Sequence, residues 1–139
     1  MVDNNCAYCV EGELVDKFGI KICELETSKV YLFKEQSHPG RCIVAHKKHV
    51  GDMNELTAEE RAAYFEDVAR VARAIMAAFN PDKVNYGAYG DTGHHLHFHL
   101  CPKYKDEFEW GGVFLMNPDK KYLSDEEYAD MIAKIKANL

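Results

Sequence analysis

His95-Leu96-His97-Phe98-His99-Leu100 alternates three imidazoles with three large apolar side chains. A period of two is the pattern of a half-buried β-strand, whose successive side chains leave opposite faces. The histidines then share one face, and Leu96, Phe98 and Leu100 share the other, where helices or a second layer can cover them. A plain surface ladder would satisfy the same alternation. One titratable residue type in three consecutive polar slots points instead to chemistry.

Upstream of this strand, Val84 to Tyr89 reads as another strand, in which Gly87 permits a close approach by a ligand or a neighbouring backbone. It leads through Gly90-Asp91-Thr92-Gly93 into the histidine strand, so the two should form a hairpin. Downstream, Pro102 lacks an N–H for a ladder and is expected to end the pairing. Further back, Ile20 to Leu25 and Val30 to Phe33 flank a turn at Glu26-Thr27-Ser28. A loop from Lys34 ends in Pro39-Gly40, and Arg41 to His46 suits an interior strand. Thr57-Ala58-Glu59-Glu60 is a capping box for a helix running to about Phe79, with Tyr64, Val68, Val71, Ile75 and Phe79 on its apolar stripe. Asn80-Pro81 stops it. Residues 106–122, with Trp110, Gly111-Gly112 and Pro118, read as irregular. Ser124-Asp125-Glu126-Glu127 caps a terminal helix with Tyr128, Met131, Ile132 and Ile135 on one face. There is no internal repeat, low-complexity tract or linker.

The chain has 139 residues, 47% of them hydrophobic, enough for one core and too few for two ordinary domains. The expectation is a single domain over residues 1–139. A net charge of −6 and the lack of a Lys/Arg cluster argue against holding long nucleic acid by its phosphates, whereas a small phosphorylated ligand needs only a local site. No basic segment precedes an apolar core near the N-terminus, and no apolar run reaches membrane-spanning length, so a soluble cytoplasmic protein without a membrane partner is expected. Cys6, Cys9, Cys23, Cys42 and Cys101 form an odd, uneven set, which suits reduced thiols and one metal site better than a disulfide framework.

Cys6-Ala7-Tyr8-Cys9 has the spacing that lets two thiolates reach one tetrahedral ion, but it supplies half a site. A redox pair or two idle cysteines would show the same spacing. His46 and His49, taken singly, read as solvated strand-end residues. On the histidine strand, a neutral imidazole can attack phosphorus while its neighbour donates a hydrogen bond to a phosphoryl oxygen. Backbone N–H groups of Gly90 to Gly93 also suit phosphate. Alternatively, the three histidines could hold a catalytic zinc with an open position for water.

His95 to Cys101 fills every position of His-φ-His-φ-His-φ-φ, with φ hydrophobic, and so resembles the signature of the histidine triad (HIT) family. Gly40 to His49 resembles that family's upstream strand and its closing Lys-x-His, and Asn85 with Gly87 resembles the strand before the triad. Together these segments span most of residues 6 to 104. The resemblance implies an α+β, HIT-like fold, a mainly antiparallel sheet with two main helices, and a homodimer. It implies that His97 is the nucleophile at a nucleoside α-phosphate, with the His95 carbonyl holding its other ring nitrogen. His99 would meet the phosphate and leaving-group region, with Thr92 and Asn85 assisting.

In zinc-bearing branches of the family, the matching positions imply a structural zinc on Cys6, Cys9, His49 and His95. Two Cys and two His make a closed tetrahedral site that would tie the N-terminus to the active strand. Glu35 is the nearest candidate for the ribose, and Ile22, Tyr31 and Phe33 are candidates for the base pocket. Arg41 stands where the family often has histidine, His46 where it often has proline, and Asp91 where an amide commonly faces the phosphate. A carboxylate at that place repels phosphate unless it is paired or protonated. The expected function is hydrolysis or transfer of a nucleotidyl group through a covalent nucleotidyl-histidine. The alternative is a zinc-stabilised nucleotide-binding or interaction protein with little turnover.

Overall fold

The computed structural model describes residues 4–139. Five strands, β1 (Gly19–Glu24), β2 (Ser28–Phe33), β3 (Cys42–His46), β4 (Lys83–Gly87) and β5 (His97–Lys103), form one sheet in the order β1-β2-β3-β5-β4. Every neighbouring pair is antiparallel. Two short helices, α1 (Ala7–Val10) and α2 (Glu13–Asp16), precede the sheet, which the sequence reading did not anticipate. The long α3 (Ala58–Phe79) lies between β3 and β4, and α4 (Asp125–Ala137) closes the chain. The α+β architecture with two main helices is as expected.

Both long helices start where the capping boxes place them. Thr57 Oγ1 accepts from Glu60 N at 3.1 Å while Glu60 Oε1 accepts from Thr57 N at 2.9 Å, and Ser124 with Glu127 repeats the arrangement. Asn80, in the left-handed region (φ 50°), ends α3. One sheet face carries Val30, Leu32, Cys42, Val44, Phe98 and Leu100 against the apolar stripe of α3 and the Tyr128 and Ile135 side of α4. The other face carries Tyr31, Phe33, Ile43 and Ala45, covered by Tyr8 and Val15 of the N-terminal helices. The buried Tyr64 hydroxyl donates to Val44 O at 2.7 Å. Asp67 Oδ2 accepts from Thr27 N, Thr27 Oγ1 and Ser28 Oγ at 2.7–2.9 Å, which fastens the β1–β2 turn to α3.

The histidine strand differs from its expected bounds at both ends. His95 lies ahead of β5, which begins at His97. Pairing continues through Pro102, which sits opposite Val84. Its missing N–H breaks no bond to β3: His46 N donates to Leu96 O, so even-numbered amides turn toward β3, and β3 pairs no further than Cys42↔Leu100. Gly87 admits close neighbours, as a Cβ there would lie 2.6 Å from the Tyr89 ring and 2.8 Å from Phe114.

Candidate active site

The three histidines share a face but have separate partners. His95 Nε2–H donates to His46 O at 2.6 Å, so its Nδ1 carries the lone pair. That Nδ1 lies 3.2 Å from Cys6 Sγ, 3.6 Å from Cys9 Sγ and 3.1 Å from His49 Nδ1, and Cys9 Sγ is 3.3 Å from His49 Nδ1. Zn–S and Zn–N bonds of about 2.3 and 2.0 Å in a tetrahedron separate ligand atoms by about 3.3–3.8 Å. The four donors therefore fit a closed S₂N₂ site, and the His95 Nε2 bond is the outer-shell contact that orients such a ligand. Burial first, then the neighbouring histidines, push His95 down to about 4, which keeps it neutral. Among the described residues this is the only cluster suited to a metal ion. The triad does not converge on an ion of its own.

His97 Nδ1–H donates to His95 O at 2.7 Å, leaving the Nε2 lone pair free. Burial lowers its pKa, against the opposing pull of that carbonyl. His99 Nδ1 lies 3.0 Å from Arg41 Nη2. Burial first, then the Arg41 charge, push His99 down to about 2. Phe33 meets the His99 ring edge-on, with centroids 5.4 Å apart.

These rings line a cleft of about 740 Å³, the right order for a nucleotide-sized ligand. Asp91 and Thr92 stand exposed in its Gly90–Gly93 wall, Phe18, Phe33 and Ile43 supply apolar surface, and Met116 with Asn117 complete it. Tyr8, between the two cysteines, covers the other side with its ring 5.4 Å from His95 and 5.0 Å from His97.

Several expected positions are elsewhere. Ile22 sits at a bulge in β1 and is buried against the helices, on the sheet face opposite the triad, so it cannot line this cleft. Tyr31 lies beneath Tyr8 and donates to Glu11 Oε1. Glu35 is buried outside the cleft, where it accepts from Ser37, Lys120 N and Lys121 N and so fixes the segment that carries Asn117. Asn85 pairs with Cys101 and faces a separate hollow beside Trp110. His49 joins the cysteines, whereas His46 is buried over Tyr64, its Nδ1 accepting from Lys48 N. The sequence reading missed Tyr8 and the Met116–Asn117 wall. The position of Tyr8 between two candidate ligands was the available signal for the first, and nothing local marked the second.

A family model described as HIT domain matches residues 19–106. The chain is 29% identical over 122 residues to the protein hit of Bacillus subtilis, covering 83% of this chain and 82% of that one. It is 27% identical over 116 residues to an adenosine 5'-monophosphoramidase of Schizosaccharomyces pombe, covering 77% and 80%. Among solved structures, a histidine triad protein of Sinorhizobium meliloti superimposes with a TM-score of 0.84 at 24% identity, over 92% of this chain and 95% of that one. A zinc-bound histidine triad protein of Mycobacterium smegmatis gives 0.67 at 22% identity, over 95% and 94%.

Proposed function

The chain belongs to the HIT domain family, and from that premise we propose that it is a nucleotide hydrolase or nucleotidyl transferase acting at a nucleoside α-phosphate through His97. The observation that carries this reading is the His97 Nδ1–H bond to His95 O, which leaves Nε2 as a lone pair in a nucleotide-sized cleft. In the first step Nε2 forms a bond to phosphorus as the bond to the leaving group breaks, and the electron pair departs with that group. The Nδ1 proton stays on the ring against the carbonyl. Water then attacks phosphorus, the N–P pair returns to Nε2, and the proton from water passes to solvent. Thr92 and the turn amides would hold the phosphate, and Phe33 with Ile43 the base.

Cys6, Cys9, His49 and His95 would hold zinc, which when bound supplies a structural tie rather than a reaction step. In support stand the donor spacing and the zinc-bound relative. A homodimer suits the open edge of β4 and its exposed Tyr86, next to Met76 on α3. No helix of the described residues is long and apolar enough to cross a membrane, and five free cysteines suit a reducing, cytoplasmic compartment.

The test is AMP release from an acyl-adenylate, a diadenosine polyphosphate and an AMP phosphoramidate, with intact-protein mass taken after rapid mixing. AMP release that His97→Ala abolishes supports the proposal. Nucleotide binding with neither AMP nor adduct would favour a binding protein, the reading to which the Asp91 carboxylate on the cleft wall lends weight.

A further inference from the structure

Arg41 is wholly buried, and among the described residues no carboxylate pairs with it. Its guanidinium lies between the rings of Phe33, at 4.2 Å, and Phe114, at 4.8 Å. Nη1 donates to Leu115 O at 3.0 Å, and Nη2 donates to Met116 O at 2.9 Å and to His99 Nδ1 at 3.0 Å. A guanidinium has no acceptor and does not lose its proton in proteins. His99 Nδ1 must therefore be the acceptor, and the single ring proton of His99 must sit on Nε2. His99 borders the cleft, and its Nε2 is not among the sealed, unpartnered atoms.

We infer that Arg41 is a positioning residue that fixes His99 as a neutral imidazole with its N–H at Nε2, fitting the site to substrates whose leaving group departs as an anion. The inference rests on the nucleotidyl-transfer reading above. When His97 Nε2 bonds to phosphorus, the departing oxygen takes the electron pair of the broken P–O bond and accepts a hydrogen bond from His99 Nε2–H. No proton transfers. A carboxylate or a phosphate can leave in this way. An amine can leave only after its nitrogen gains a proton, and a neutral His99 beside a fixed cation has none to give. The same guanidinium holds Leu115 and Met116, so the leaving-group wall and the hydrogen-bond donor are set by one side chain.

The experiment uses aryl esters of AMP whose phenols span a range of acidity, with ring-nitrogen NMR of His99 at one pH. The variants are Arg41→Met, which keeps bulk but cannot donate, and Arg41→Lys, which keeps charge and a donor. In the wild type, the NMR should report the Nε2–H tautomer alone, and the p-nitrophenyl ester should turn over about tenfold or more faster than the phenyl ester. Arg41→Met removes the cation, so the tautomers should mix and His99 should take up a proton that it can give to the departing oxygen, which narrows that ratio, and Arg41→Lys should restore both. A purely structural role would slow both esters alike. An unchanged tautomer and ratio in folded Arg41→Met, or an Nδ1–H tautomer in the wild type, overturns the inference. Absence of AMP from every ester defeats the nucleotidyl-transfer reading and the leaving-group claim with it, while the NMR still decides the hold of Arg41 on His99.

Discussion

Replacing Cys9 with serine should release α1 from the cleft. This helix is one turn of four residues, too short to persist alone. Ordering four residues costs about 4–8 kcal/mol of backbone entropy. Burial of the Tyr8 ring returns about 1.5–3 kcal/mol, and the 3.0 Å bond from Lys29 Nζ to Tyr8 O about 1 kcal/mol. Apart from the hold of Tyr31 and Lys29 on the capping Glu11, the shortfall is a few kcal/mol, which a metal ion on Cys6, Cys9, His49 and His95 would supply. The readout is amide exchange at Val10 N and Glu11 N, which donate to Cys6 O and Ala7 O, with bound zinc measured in parallel. In metal-free wild type and in Cys9→Ser these two amides should exchange faster by about 10²-fold for a shortfall near 3 kcal/mol, while β3 and β5 stay protected. Loss of the Tyr8 wall should weaken nucleotide binding. If protein verified to be metal-free keeps full protection at Val10 and Glu11, packing alone holds α1 and the argument is refuted.

His97→Ala should lower AMP release by about 10³-fold or more without loss of fold, because no other lone pair faces the cleft from the same place; residual activity near wild type would move the nucleophile elsewhere. Asp67→Ala strips one acceptor from three donors at the β1–β2 turn and should cost about 2–4 kcal/mol in urea unfolding, and a loss below about 1 kcal/mol would mean that water replaces the carboxylate freely. His99 sits at about 2 in the folded chain against about 6.5 unfolded. The unfolded chain thus takes up a proton that the folded chain refuses. The stability this difference provides is complete above pH 6.5 and is lost as pH falls from there toward the folded value, by up to about 1.4 kcal/mol per pH unit. Between pH 6.5 and 5, His99→Asn should lose stability less steeply than wild type, and parallel slopes would show that folded His99 does bind a proton.

Much of the frame was legible because it depends on local pattern. The capping boxes at Thr57 and Ser124, the stripe from Tyr64 to Ile75 and the alternation at His97–Leu100 each encode their structure within a few residues. The errors came where distant segments decide. Pro102 stays in the sheet because β3 ends two residues short of it, which no local rule can foresee. Ile22 faces the helices because Ile20, two residues before it, lies opposite Leu32, a register that the pairing of β1 with β2 sets. Glu35 met the amides of Lys120 and Lys121, which lie far along the chain.

The sequence by itself determined that His97 and His99 share one face of a strand, with His95 leading into it, since alternation is a property of the extended backbone. Only the tertiary structure decided what each one does. His95 turns to Cys6, Cys9 and His49, His97 keeps a free Nε2, and His99 is fixed by Arg41. A histidine's tautomer is set by the group that meets its other nitrogen, and here every such group arrives from another part of the fold or from the bend of the backbone just before the strand.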